Sequence, residues 1–172
     1  AFSAAAGRAP LLAIVNYFED SPSAIYVQRK IAACARLGIQ VRLIKPGVEE
    51  GLPGFLKLLA SLEKDPGVDA VMIERPLPEG FETPEMWDAV PAGKDVDALS
   101  SLNMGRLFIS KAADPERTGS FTPCTALAVV RLLKYHAISV KGKKIAVAGR
   151  SAVVGRPLAH MLINLDATVT VC

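Results

Sequence analysis

Four stretches of the chain carry side chains whose type and spacing suit chemistry. Tyr26 and Lys30 lie four residues apart, so a helix holding both puts them on one face, with the ammonium within reach of the ring. Such a pair suits a catalytic amine beside a stacking surface, and it equally suits a solvent-facing Tyr–Lys contact. Glu74 follows an apolar run directly and precedes Arg75 and two prolines, Pro76 and Pro78, which stiffen the turn. A carboxylate there is either placed for function at a strand end or engaged in a surface pair with Arg75. Asp95 and Asp97 stand in a loop too poor in glycine to bind calcium. They suit a ligand that offers hydrogen bonds, or they cap the following turn.

The fourth stretch runs from Lys141 to Leu162 and on to Cys172. Ile145 to Ala148 reads as a strand buried on both faces, and Gly149 as a tight turn. Ser151 is a capping residue, and Val154, Leu158, Met161 and Leu162 recur at helical spacing. Thr168 to Cys172 is a second, β-branched strand. The result is a βαβ unit whose turn offers backbone N–H groups and a helix N-terminus to a phosphate. Gly149 and Gly155 bracket five residues and Ser151 replaces a middle glycine, so the pattern departs from G-x-G-x-x-G. A plain packing turn accounts for it equally well. Cys124 at a helix start, His136 and His160 have no partner at a telling spacing and read as structural.

The elements that must position these residues alternate along the chain. Leu11–Val15, Gln40–Ile44 and Ala70–Ile73 are strands. Asp20–Ser23 starts a helix that runs to about Leu37, and Leu52, Phe55, Leu56, Leu59 and Leu62 mark a second. Short links between alternating strands and helices predict an α/β fold with a parallel, doubly wound sheet. In such sheets ligands bind beyond the carboxyl ends of the strands, which singles out the residues just after Val15 and Ile73. A short helix follows around Pro84 to Val90, then the segment Ser101 to Phe108 and a polar loop from Ala112 to Gly119. Thr122–Thr125 opens a helix to about His136. The predicted boundary lies near Gly119, with residues 1–119 a first domain and 120–172 the start of a Rossmann-type domain.

Composition narrows the function class. With 172 residues, 51% hydrophobic and 22% charged, the chain can build a globular core. No apolar run approaches the roughly 20 residues of a membrane span. Net charge is +3 and the basic cluster Lys141–Lys144 lacks interleaved aromatics, which argues against nucleic acid and suits small anionic ligands. Three widely spaced cysteines give neither a disulfide framework nor a metal pattern, so a cytoplasmic setting is expected. The opening residues are too weakly apolar for a signal peptide and read as the tail of a helix.

Six motifs occur in order: Tyr26-Val-Gln-Arg-Lys30, Pro76-Leu-Pro78, Lys94-Asp-Val-Asp97, Asn103-x-Gly-Arg106, Pro123-Cys-Thr125 and Gly149-Arg-Ser-x-x-Val-Gly155-x-Pro157. Together they resemble the methylenetetrahydrofolate dehydrogenase/cyclohydrolase family over nearly the whole chain. The resemblance implies a two-domain enzyme that oxidises 5,10-methylenetetrahydrofolate with NADP, or NAD in some members. Hydrolysis of the methenyl product to 10-formyltetrahydrofolate commonly follows. It implies Lys30 as the catalytic lysine, Tyr26 in the folate-ring pocket and Asp97 on the pterin, whose paired N–H donors suit a carboxylate. Pro76, Leu77 and Pro78 would wall the pocket. Thr125, Gly149, Arg150, Ser151 and Gly155 would face the dinucleotide. It further implies a homodimer. A related dehydrogenase of another substrate, or a non-catalytic folate-binding subunit, are the alternatives.

The chain departs from that family in two respects. Glu74 stands where the family typically has Gln, in Ile-Glu-Arg-Pro-Leu-Pro. A carboxylate favours the ammonium form of a nearby lysine, which suits proton exchange with water poorly and hydride transfer well enough. The expectation is a weakened cyclohydrolase step, unless Arg75 pairs with Glu74. The chain also reads as cut at both ends, short of the family's first helix and later Rossmann strands.

Overall fold

Leu11–Val15 (β1) is an uninterrupted apolar run, and it forms the central strand of a parallel sheet. The computed structural model of the chain describes residues 6–18, 23–110 and 121–172. The turn expected over residues 20–22 and the polar loop over 112–119 lie outside the described residues. Two compact units are present, Ala1–Asp95 and Val96–Cys172.

In the first unit β1 is flanked by Gln40–Ile44 (β2) and Ala70–Ile73 (β3), in the order β2-β1-β3. Val15 lies beside Ile44 on one side and Ile73 on the other. Ser23–Arg36 (α1) joins β1 to β2, and Gly51–Lys64 (α2) joins β2 to β3. Period-two alternation then sorts the side chains. Ala13, Val15, Val71 and Ile73 share a core with Phe55, Leu59 and Leu62 of α2. Leu12 and Ile14 point the opposite way, toward the face where α1 buries Val27. The sheet is therefore covered on both faces, as the alternating pattern predicts.

Three further contacts close this unit. Pro84–Ala89 (α3), capped by Thr83 Oγ1 on the Met86 N–H, adds Met86 to the core. Tyr17, Phe55 and Phe81 pack together, the Tyr17 ring meeting the other two edge-on at 5.5 and 5.4 Å. Lys94 Nζ donates to the carbonyls of Leu62 and Asp65 at 2.8 and 2.7 Å, satisfying the end of α2.

The second unit contains Ser101–Ile109 (α4), Cys124–Tyr135 (α5), Lys144–Val147 (β4), Gly155–Asn164 (α6) and Thr168–Val171 (β5). Leu107 of α4, Ala126 of α5 and Met161 of α6 form its core. That packing ties α4 to the second unit, so the compact division falls at Asp95/Val96, ahead of the boundary expected near Gly119. β4 and β5 pair in parallel, Lys144 beside Thr168 and Val147 beside Val171. The expected βαβ unit is thus present. Its first strand differs from expectation in burial: Lys144 and Ala146 are exposed and Val147 alone is buried. Among the described residues β4 has only β5 as a strand neighbour, which leaves its other edge unpaired.

Candidate active site

The ladder of the first sheet runs one residue past its strands. The Glu74 N–H donates to Val15 O at 2.8 Å, and the Asn16 N–H donates to Ile44 O at 2.9 Å. With Val15 and Ile73 committed to the α2 side, the next residues, Asn16 and Glu74, face α1. Lys30 lies in the middle of that helix, and its Nζ donates to Glu74 Oε1. The Glu74 side chain is 7% exposed and that of Lys30 37%, so a buried carboxylate holds a half-exposed ammonium at the mouth of the site. A carboxylate so removed from water requires such a partner.

Arg75 does not join them. Alternation sends it to the opposite face, where Nη2 lies 3.2 Å from Glu82 Oε2 and the guanidinium sits 4.8 Å over the Trp87 ring. The surface Glu74–Arg75 pair considered from sequence is therefore absent, and Lys30 takes its place. Tyr26 is 60% exposed. The expected approach of the Lys30 ammonium to the Tyr26 ring is not made among the described residues. A charge partner in a desolvated setting attracts an ammonium more strongly than an exposed ring does. Leu77 is buried in the core with Phe81 and Met86, whereas Pro76 is exposed and Pro78 half-buried.

Asp95 is buried and forms a parallel bridge with Val71 at the edge of the first sheet. Asp97 is half-buried in the turn that opens the second unit. Ser100 Oγ caps α4 by accepting from the Asn103 N–H, and Arg106 Nη1 donates to the buried Asn103 Oδ1 at 3.3 Å. The Asn-x-Gly-Arg motif is thus a helix start that fixes its own polar side chains.

The glycine turn of the second unit is held from inside. A Cβ on Gly155 would stand 1.9 Å from Gly149 O and 2.9 Å from Arg150 N, so only glycine lets α6 start this close to the preceding loop. Gly149 itself has φ +132°, a conformation that side chains resist. Ser151 Oγ accepts from the N–H groups of Val154 and Gly155 at 3.2 and 3.4 Å, so it ties the turn ahead of α6, while the N-cap position of that helix is Val154 rather than Ser151. Arg150 and Ser151 are exposed at the end of β4 and the start of α6, and Thr125 is exposed in the first turn of α5. Cation, hydroxyl and helix N-terminus together fit the phosphates of a dinucleotide.

The residues set aside as structural are mixed. His160 is half-buried with its ring 4.8 Å from that of Phe108, while His136 is exposed at the end of α5. Cys124, expected to pack, is exposed, and its thiol donates to Val96 O at 3.6 Å. No group of His, Cys, Asp and Glu among the described residues could hold a metal, and no helix there is long and apolar enough to cross a membrane.

Two residues at the strand end gain importance only in the structure. Asn16 is 4% exposed beside Glu74. The Tyr17 phenol is pushed up to about 12 by burial, with the Glu50 carboxylate adding to the effect. The signal for both was their place directly after an apolar strand.

Comparison with known proteins also divides the chain into two parts. Residues 1–97 match the model of the tetrahydrofolate dehydrogenase/cyclohydrolase catalytic domain, and residues 123–172 match that family's NAD(P)-binding domain. The chain is 40% identical over 167 residues to the bifunctional protein FolD of Elusimicrobium minutum, covering 96% of this chain and 58% of the relative. The crystal structure of FolD from Campylobacter jejuni superposes with a TM-score of 0.86 at 32% identity, over 99% of this chain and 58% of that one. The Trypanosoma brucei FolD complexed with NADP cofactor and inhibitor gives 0.86 at 28% identity, over 99% and 56%. The chain thus spans somewhat more than half the length of the relatives it matches. On the match of its first 97 residues, which carry the Lys30–Glu74 pair, the chain belongs to the tetrahydrofolate dehydrogenase/cyclohydrolase family.

Proposed function

We propose that the protein to which this chain belongs oxidises 5,10-methylenetetrahydrofolate to 5,10-methenyltetrahydrofolate with NADP, and hydrolyses the product slowly or not at all. The observation that carries this reading is the pairing of Lys30 with the buried Glu74 at the carboxyl ends of the first sheet. Loss of a hydride from the methylene carbon leaves a methenyl cation, and NADP supplies the hydride acceptor when bound. That step needs alignment of donor and acceptor. Hydrolysis adds water to the cation and needs a base to take its proton. A lysine whose ammonium is already bonded to a buried carboxylate serves binding and positioning better than proton removal.

The remaining roles follow the family likeness. Lys30 is the catalytic lysine, Tyr26 offers its exposed ring to the folate, Asp97 receives the pterin, and Pro76 and Pro78 border the substrate. Gly149, Arg150, Ser151 and Gly155, with Thr125, hold the dinucleotide, NADP in preference to NAD. Folate chemistry belongs to residues 1–119 and dinucleotide binding to 120 onward. The protein works as a cytoplasmic homodimer.

The test uses the full-length protein. Reduction of NADP and NAD is followed with methylenetetrahydrofolate, and decay of methenyltetrahydrofolate is followed separately. Cofactor reduction with slow methenyl decay is the expected result. Comparable rates for both steps would overturn the argument from Glu74. Reduction of neither cofactor, with saturable folate binding, would favour a non-catalytic binding subunit.

A further inference from the structure

We propose that Asn16 is a third polar group of the Lys30–Glu74 site and contacts the substrate through its side-chain amide. The inference rests on the functional reading above, and it starts from burial. Asn16 is 4% exposed, yet its amide makes no hydrogen bond with any described residue. Its backbone N–H is engaged with Ile44 O, so the side chain is the part left to act. The small exposed part of Asn16 includes its unpartnered amide, which carries two donors and an acceptor open to a ligand.

Register supplies the direction. Val15 pairs with Ile73, so Asn16 stands beside Glu74 on the adjacent parallel strand, with side chains about 5 Å apart on the same face. That face is the one from which Lys30 reaches Glu74. Asn16, Glu74 and Lys30 therefore ring the carboxyl end of the central strands, where ligands of parallel sheets bind. Lys30 and Glu74 already satisfy each other. Asn16 offers a neutral group that can donate and accept without disturbing that pair, which suits the amide and ring nitrogens of a reduced pterin.

The full-length protein and its Asn16→Leu variant are compared for NADP reduction with methylenetetrahydrofolate, with thermal melting alongside. Leucine has nearly the same volume and no polar atoms, so Tm is expected to hold or rise. KM for methylenetetrahydrofolate is expected to rise about tenfold with kcat changed far less. Asn16→Asp, which keeps shape and acceptor but lacks the donor, is expected to raise KM as well and covers the case in which the leucine variant fails to fold. A fall in Tm with KM unchanged in either folded variant would make Asn16 structural and overturn the proposal alone. Absence of turnover by the unaltered protein would overturn both this proposal and the functional reading it rests on.

Discussion

The Lys30 ammonium and the Glu74 carboxylate, 44 residues apart in sequence, are bonded across the α1 face of the first sheet. Each has a closer charged neighbour in the chain. Glu74 is followed by Arg75, but consecutive residues of a strand face opposite ways, and Arg75 is held by Glu82 and Trp87 instead. The pairing therefore depends on strand register and on the docking of α1.

Replacing Glu74 by Gln keeps a hydrogen-bond acceptor for Lys30 and removes the charge that pairs with it. Hydrolysis of methenyltetrahydrofolate by the full-length variant is expected to rise about tenfold or more, with NADP reduction altered much less. Side-by-side assays of the two steps decide the matter. A folded variant with unchanged hydrolysis would remove Glu74 as the cause of a slow second step.

Gly155→Ala puts a methyl group 1.9 Å from Gly149 O, a backbone atom that cannot swing aside. A loss of about 1–3 kcal/mol or more is expected, together with weakened NADP binding, as α6 is pushed off the turn. Gly105→Ala is the matched control. Gly105 sits within α4 with nothing near its Cβ position, and alanine there should stabilise by about 0.5–1 kcal/mol. Urea unfolding of both variants and a fluorescence titration with NADP measure the contrast.

Acid should loosen the first unit through two carboxyl groups. Asp65 is held below its ordinary 3.8 by hydrogen bonds from Arg42 and the Gly67 N–H, and Asp69 likewise by Arg8 and the Leu11 N–H. A carboxyl depressed in the folded state contributes stability above its unfolded value and loses it as pH falls through the folded one. Melting temperature should therefore drop as pH is lowered below about 4. Arg42→Ala should flatten that dependence, and an unchanged slope would show that Asp65 plays no part.

The opposite sign applies to Tyr17, whose phenol is pushed up to about 12 in the folded protein. Its contribution is complete below the ordinary value of about 10 and is lost as pH rises toward the folded value. Alkaline unfolding of the unaltered chain should steepen between these limits. Tyr17→Phe keeps the ring against Phe55 and Phe81 and should remove part of the steepening. Identical alkaline profiles would assign the effect to other groups.

By itself the sequence determined what is local. Apolar runs and their period mark the strands and helices to within a residue or two, as with Ser23–Arg36 and Thr168–Val171. Gly149, Ser151 and Gly155 announce a tight turn because the steric demand lies within seven residues. The six motifs placed the chain in its family for the same reason: residue type and spacing can be read along the chain.

Only the tertiary structure decided how the polar groups divide. Leu77 reads as one residue of a Pro-Leu-Pro turn, and it became core by joining the cluster that also holds Phe81 and Met86. Asn16 followed a strand without any motif of its own, and it acquired a neighbour in Glu74 through the register of β1 with β3. Glu74 had Arg75 beside it in sequence and Lys30 far off, and the face of the sheet chose Lys30. Strength of electrostatic contact depends on distance and burial, and both are set by packing between segments remote in sequence.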